Sequence, residues 1–265
     1  MHSGSRVSRV FQTGLGVIPG ICPRRTQRPW RTDTVERHPV VLASDSNDKK
    51  PQRVSLHTVE RLSVYRRKLE ELSHEGVEFV HSHQLAAMVG VTPAQLRRDL
   101  ASFGSYGNIA RGYEVAKMIA TISRIIGTDK IQNVGLVGVG DLGRALLSYR
   151  GFEERGFHIA AAFDVDPAKV GKVFAGRRCY GLEELERVIT ETEMRILILA
   201  SRPEGLQEII DRAAAVGIRA FLNFVPKTTV APPGCFVERI DISAKLEKLS
   251  FLVQRGEGET GRSVA

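Results

Sequence analysis

The sequence predicts an α/β chain in two parts: an N-terminal winged helix-turn-helix domain, then a C-terminal doubly wound Rossmann domain with a C-terminal helix. Three observations carry this. A short helical pattern, a glycine turn and a well-capped helix, "TPAQLRRDLASFG", follow one another in the first half. The stretch "VGLVGVGDLGRALL" places Gly138, Gly140 and Gly143 between a buried strand and a helix. From Ile131 onward, apolar strands alternate with helices, the pattern of a parallel sheet covered on both faces.

The bulk numbers allow this organisation and exclude others. A length of 265 residues suits two modest domains, and 42% hydrophobic with 26% charged residues suits a globular chain. No run of about 18 apolar residues occurs, so no membrane span is expected. Of the net charge of +8, residues 1–53 carry +6, with ten Lys/Arg against four Asp/Glu. The global charge therefore says little about the folded part. Cys22, Cys179 and Cys235 lie far apart, with no Cys-x-x-Cys. That usage fits a reducing, cytoplasmic setting, with neither a disulfide framework nor a structural metal.

Residues 1–53 show no sustained period and are expected to be a structureless leader or an over-long start, with Val40, Val41 and Val54 as alternative starts. A targeting segment and a functional basic tail stay open for this stretch. Residues 54–113 form the predicted winged helix-turn-helix domain. In "HTVERLSVYRRKLEELSHEG", Leu62, Tyr65, Leu69 and Leu72 make one helical stripe, and Gly76 supplies the stop. "SHQLAAMVG" follows, with Ser82 as the expected N-cap and Gly90 as the turn. Thr92 with Gln95 makes a capping box, and Pro93 falls at the first helical position, where its missing N–H costs nothing.

The capped helix turns Leu96 and Leu100 inward and carries Gln95, Arg97 and Arg98 on its polar face. Arg and Gln are the side chains that read guanine and adenine edges in a major groove. The plain alternative is a solvated surface pair on a helix pair that never meets DNA. "SYGNIARGY" reads as a glycine-rich wing, with Ser105, Tyr106, Asn108 and Arg111 as further DNA contacts. Residues 114–128 form a connecting helix, with Val115, Met118, Ile119, Ile122, Ile125 and Ile126 on one side. It is expected to bridge the two domains or to pack against a partner subunit.

The Rossmann domain is predicted over residues 129–240. Gly138 permits the tight turn, Gly140 lets the backbone approach phosphates, and Gly143 allows close helix–strand packing. The loop Gly138, Val139, Gly140, Asp141, Leu142, Gly143 is thus the candidate dinucleotide cradle, with the positive end of the next helix behind it. Asp164 stands 21 residues beyond Gly143, at the end of the second strand, where a carboxylate can bind ribose hydroxyls and repel a 2′-phosphate. NAD(H) is the expected ligand; FAD, CoA and S-adenosylmethionine are the alternatives. A small NAD-dependent oxidoreductase is the competing function. It would need a proton acceptor, and His158 is the only histidine past residue 83; no Tyr-x-x-x-Lys follows Tyr149 or Tyr180. No substrate domain has room either. An enzyme is the weaker reading.

Taken together, "LRRDLASFGSYG", "GVGDLG", "FDVDP" and "FLNFVP" resemble the Rex family over residues 55–254. The resemblance implies a redox-sensing repressor that binds palindromic double-stranded operator DNA as a homodimer when NADH is low, and releases it when NADH binds. It also implies that residues 241–265 hold a helix swapped onto the partner, with Ile242, Leu246, Leu249 and Leu252 as its stripe. The family's switch acid matches Asp241, and its alternating partners match Tyr149 and Arg67. Three departures stand out. The wing "GNIARGY" has Ile109 and Ala110 where the family has Arg and Gly, and Ile242 replaces a Phe that some relatives carry. Residues 1–53 have no counterpart.

Overall fold

In the computed structural model, the described residues are 40–42, 52–103 and 111–260, with side chains for 55–103 and 111–255. Two short strands, β1 (Val40–Leu42) and β2 (Gln52–Val54), pair antiparallel, with Val40 opposite Val54. These strands take in residues 40–42 and 52–53 of the expected leader; the rest of it lies outside the described residues.

The N-terminal helical domain follows. Helix α1 (Leu56–His74) starts at Ser55, whose hydroxyl accepts the Thr58 N–H at 3.2 Å. Strand β3 (Phe79–Val80) leads into α2 (Ser82–Met88) and α3 (Pro93–Ala101). The N-cap of α2 is His81 and not Ser82. The His81 N–H is taken by the Gln84 side chain at 2.9 Å, so the cap forms one residue earlier, and Ser82 is free to serve α3. Gly90 makes the turn between α2 and α3 in the left-handed region, at φ +71°. Thr92 caps α3 by accepting the Gln95 N–H at 3.1 Å, with Pro93 at the first helical position. Strand β4 (Tyr113–Glu114) pairs with β3, a partner the sequence did not reveal.

Helix α4 (Val115–Ile126) ends at Gly127. Its Val115, Met118 and Ile122 are buried with Leu62, Tyr65, Leu69, Leu85, Leu96 and Leu100, and Ile119, Ile125 and Ile126 pack at the margin. The predicted connecting helix is therefore part of the N-terminal core.

The second domain is built on strands β5 (Gln132–Val137), β6 (Phe157–Asp164), β7 (Val173–Phe174), β8 (Arg177–Gly181), β9 (Ile196–Leu199), β10 (Ala220–Asn223) and β11 (Phe236–Arg239). The sheet order is β11-β10-β9-β5-β6-β8-β7, all parallel except the β7–β8 pair. Helices α5 (Asp141–Ser148), α6 (Leu185–Glu191) and α7 (Leu206–Ala215) connect the strands. One sheet face packs Phe163, Leu197, Leu199 and Phe221 against α6 and α7; the other buries Leu136, Val139, Ala162 and Ile198 with Leu147 of α5. Because β6 and β9 lie on opposite sides of β5, the strand order reverses there, the point at which open α/β sheets offer space for a ligand beyond the carboxyl ends of the strands. Helix α8 (Ile242–Thr260) comes last. Among the described residues, no helix is long and apolar enough to cross a membrane.

A buried carboxylate ties α3 to α1. Asp99 is 3% exposed and accepts four hydrogen bonds: from Arg61 Nε (2.6 Å) and Nη2 (2.7 Å), Tyr65 Oη (2.8 Å) and Gln95 Nε2 (2.8 Å). Burial alone would raise the Asp99 carboxyl; the hydrogen bonds from Arg61, Tyr65 and Gln95 outweigh it and hold the group below its ordinary value. Breaking such a pair costs about 2–3 kcal/mol, toward the low end of buried pairs because the Arg61 side chain keeps 30% exposure. The folded value is depressed, so the contribution is complete above the unfolded value near 3.8 and is lost as the pH falls through the folded value. Urea unfolding of Asp99→Asn against the parent chain should therefore show a gap that is constant from pH 7 to about 4 and shrinks below. A gap that does not change at lower pH would contradict this account.

Candidate functional site

Two sets of residues bear on function. The first is the outer face of α3. Arg97 and Arg98 are exposed, and each is steered by a neighbour. Arg97 Nη1 donates to Ser82 Oγ at 3.1 Å, and Arg98 Nη1 donates to Gln95 Oε1 at 3.3 Å. Gln95 is half-buried and bridges inward to Asp99. Of the expected wing contacts, Arg111 is exposed; Ser105, Tyr106 and Asn108 lie outside the described residues. Sequence reasoning missed Arg61, Tyr65 and Asp99 as a unit. The available signal was a tyrosine within an apolar stripe, since a buried phenol needs a polar partner.

The second set is the glycine loop at the carboxyl end of β5. Gly138 has φ +96°, and a Cβ there would stand 2.5 Å from the Ala200 carbonyl oxygen beside the end of β9. A methyl group on Gly143 would overlap the Gly138 carbonyl oxygen. These two glycines are required by the protein's own packing. Gly140 differs: it has an ordinary negative φ of −80°, and a Cβ would meet nothing within 4 Å. Its lack of a side chain serves no internal contact, which fits a surface kept bare for the close approach of a phosphate. The first N–H groups of α5 have no intrahelical acceptor, as at any helix start, so the cradle suits a pyrophosphate. Asp141 and Leu142 are exposed at this end, and Asp141 pairs with Arg144 at 2.5 Å.

Asp164 faces this loop from the end of β6. It is 7% exposed, and its carboxylate accepts the Val139 N–H (2.7 Å), the Asp166 N–H (2.9 Å) and Lys169 Nζ (3.0 Å). Burial would raise this carboxyl too, and the backbone N–H groups of Asp166 and Val139, with Lys169, hold it low instead. In this arrangement Asp164 fastens the glycine loop, while Asp166 keeps the more exposed carboxylate of the turn. Behind the loop, burial and then the Asp164 charge push the Cys179 thiol up to about 11, leaving it protonated at neutral pH. Among the described residues, no group of three or more His, Cys, Asp or Glu side chains is placed to hold a metal.

Arg67, Tyr149 and Asp241 each have separate partners within the chain. Arg67 Nε donates to the Ser63 carbonyl at 3.3 Å, and Tyr149, 54% exposed, meets Phe152 edge-on. Asp241 caps α8 by accepting the Ala244 N–H at 3.0 Å and pairs with Arg239 at 2.8 Å. The cap and Arg239 keep its carboxyl low. On α8, Ile242, Leu246, Leu249 and Leu252 are all exposed.

Comparison with known proteins agrees with this division. A family described as "Putative DNA-binding protein N-terminus" matches residues 53–101, and one described as "CoA binding domain" matches residues 129–227. The redox-sensing transcriptional repressor Rex of Rhodopirellula baltica is 41% identical over 211 residues, covering 80% of this chain and 89% of the relative. The chain belongs to the Rex family. The Rex protein of Desulforamulus reducens is 42% identical, over 73% of this chain and 92% of its own length. Among solved structures, the Rex-family repressor RSP in complex with β-NAD+ and operator DNA matches with a TM-score of 0.73 and 31% identity, covering 80% of this chain and 99% of that one. RSP in complex with β-NADH matches with a TM-score of 0.69 and 31% identity, over 78% and 98% of the two chains. The Rex neighbours share the N-terminal DNA-binding domain and the Rossmann-like domain, so the predicted fold class stands.

The loop geometry separates ligand space from packing space, and two substitutions test it. Gly143→Ala should lower stability by about 1–3 kcal/mol, the usual cost of overpacking. Gly140→Ala should change it by less than about 1 kcal/mol, since only a helix-cap preference is touched. Thermal melts of the two variants without nucleotide check this; equal losses would contradict it.

Proposed function

We propose that the chain is a DNA-binding transcriptional repressor that senses the NADH/NAD+ ratio, binding operator DNA when NADH is low and releasing it when NADH binds. The observation that carries this is the pairing, in one Rex chain, of an Arg-bearing recognition helix with a glycine cradle kept bare at Gly140. RSP, which shares this fold, has been solved with NAD+ and operator DNA and with NADH.

Arg97 and Arg98 have the chemistry to read guanine edges, with Arg111 and the wing residues Ser105, Tyr106 and Asn108 on the backbone or minor groove. Gly138 to Gly143 hold the pyrophosphate of NAD(H), with Asp164 fixing the loop and Asp166 next to the ribose position. The repressor acts in the cytoplasm as a homodimer on a palindromic operator. The exposed apolar stripe of α8 fits burial against a second copy of the chain.

The switch follows from charge. The nicotinamide ring is positive in NAD+ and neutral in NADH. A pocket closed by Ile242 and Leu246 from the partner's α8 disfavours the charged ring, because burying an unpaired charge is costly. NADH then favours the closed dimer, and Asp241 exchanges its partners between Tyr149 and Arg67. In this reading the nucleotide is weighed as a ligand and its hydride is not transferred.

A pair of variants separates the two halves. With duplexes recovered from a random-sequence library, and with NADH by calorimetry, the parent chain should bind both. Gly140→Ala should lose NADH affinity by on the order of tenfold or more and keep the duplex. Arg98→Gln should lose sequence preference by about 1–3 kcal/mol and keep NADH. Sustained NADH oxidation with a panel of carbonyl compounds would overturn the proposal in favour of an oxidoreductase.

A further inference from the structure

Gln95 occupies the position on α3 where a glutamine would be expected to read adenine. Bidentate reading of adenine requires both ends of the amide, the oxygen accepting from N6 and the nitrogen donating to N7. In this structure both ends are already engaged. The Gln95 Nε2 donates to Asp99 Oδ1 at 2.8 Å, and Gln95 Oε1 accepts from Arg98 Nη1 at 3.3 Å. The amide orientation is dictated from both sides: a carboxylate only accepts and a guanidinium only donates, so the NH2 must face Asp99 and the oxygen must face Arg98. The inner end cannot drift. Asp99 is buried and held by the Arg61 fork and by the Tyr65 hydroxyl, both from α1.

We propose that Gln95 is a positioning residue for Arg98 and not a base reader: a relay running from α1 through Asp99 and Gln95 sets the direction in which the Arg98 guanidinium leaves the recognition helix. The proposal rests on the DNA-binding reading above. Arg98 keeps its remaining N–H groups for a guanine edge, while the one facing Gln95 is spent on alignment. A long arginine otherwise surrenders its rotamer freedom on binding; an arginine already aligned surrenders less. Arg97 is aligned separately, through Ser82, so the relay acts on one arginine and hence on one base pair of each half-site.

The test uses the full chain and duplexes selected from a random-sequence library, followed by single-base variants of the selected site. Gln95→Met removes both hydrogen bonds at similar length and without a change of charge. It should reduce discrimination roughly 5- to 150-fold at the base pair that Arg98 reads, and leave affinity for an unselected duplex within about twofold. Arg98→Ala should lose discrimination at the same base pair, and the double variant should be no worse than Arg98→Ala alone. In the DNA-free protein, the Arg98 Nε–H should show lower order by NMR relaxation in Gln95→Met than in the parent chain. Should Gln95→Met fail to fold, Gln95→Ala, a better helix former, repeats the measurement. Losses at two different base pairs that multiply would show that Gln95 reads a base of its own. Unchanged discrimination or unchanged Arg98 order would show that the relay carries nothing. A parent chain that selects no sequence at all would instead remove the DNA-binding reading itself.

Discussion

The placement of helix α3 depends on a buried carboxylate, Asp99. Helix α3 has nine residues, too few to be stable in isolation. Leu96 and Leu100 bury its inner side, but apolar contacts alone leave a helix free to slide or roll by small amounts. The four hydrogen bonds onto Asp99 do not allow that, because a bidentate guanidinium fixes both distance and plane. Helices α1 and α3 are thereby tied through one buried group as well as through apolar packing.

The Rossmann domain uses the same device for another purpose. Asp164 is also a carboxylate removed from water and satisfied by donors of its own chain, two of them backbone N–H groups. It locks Val139 and so holds the glycine loop in its curved form without any ligand contribution. A loop already shaped loses little entropy when a pyrophosphate arrives. In the free protein Asp164 thus fastens the loop through bonds of the chain itself. The hydrogen bonds that give it that place are spread between the loop, its own turn and Lys169, so sequence spacing alone could not have revealed them.

Elements with a local physical signature were legible in the sequence. Thr92 and Pro93 mark the start of α3 because a cap and a missing N–H act within one turn. Leu62, Tyr65, Leu69 and Leu72 mark the buried face of α1 by period alone, and Gly138, Gly140 and Gly143 mark the cradle by spacing. Elements set by distant partners were not legible. Strands β3, β4 and β7 have two residues each, too short to show alternation, and exist through pairing. The cap of α2 fell at His81 because a side chain three residues on, Gln84, reached back to it. Asp99 looked like one more polar residue beside two arginines. Its burial is set by Arg61, 38 residues away.

Coupling between the two halves of the chain is a difference in affinity between two states of the protein. Moving an operator complex from mostly bound to mostly free requires NADH to prefer the DNA-free state by about 10⁴-fold. The most direct measurement is fluorescence anisotropy of a labelled, selected duplex bound by the full chain, titrated separately with NADH and NAD+, while nucleotide occupancy is followed by NADH fluorescence and by calorimetry for NAD+. NADH should release the duplex over the concentrations at which it fills the protein, and NAD+ at full occupancy should leave the complex intact. A complex that survives saturation with bound NADH would contradict the account.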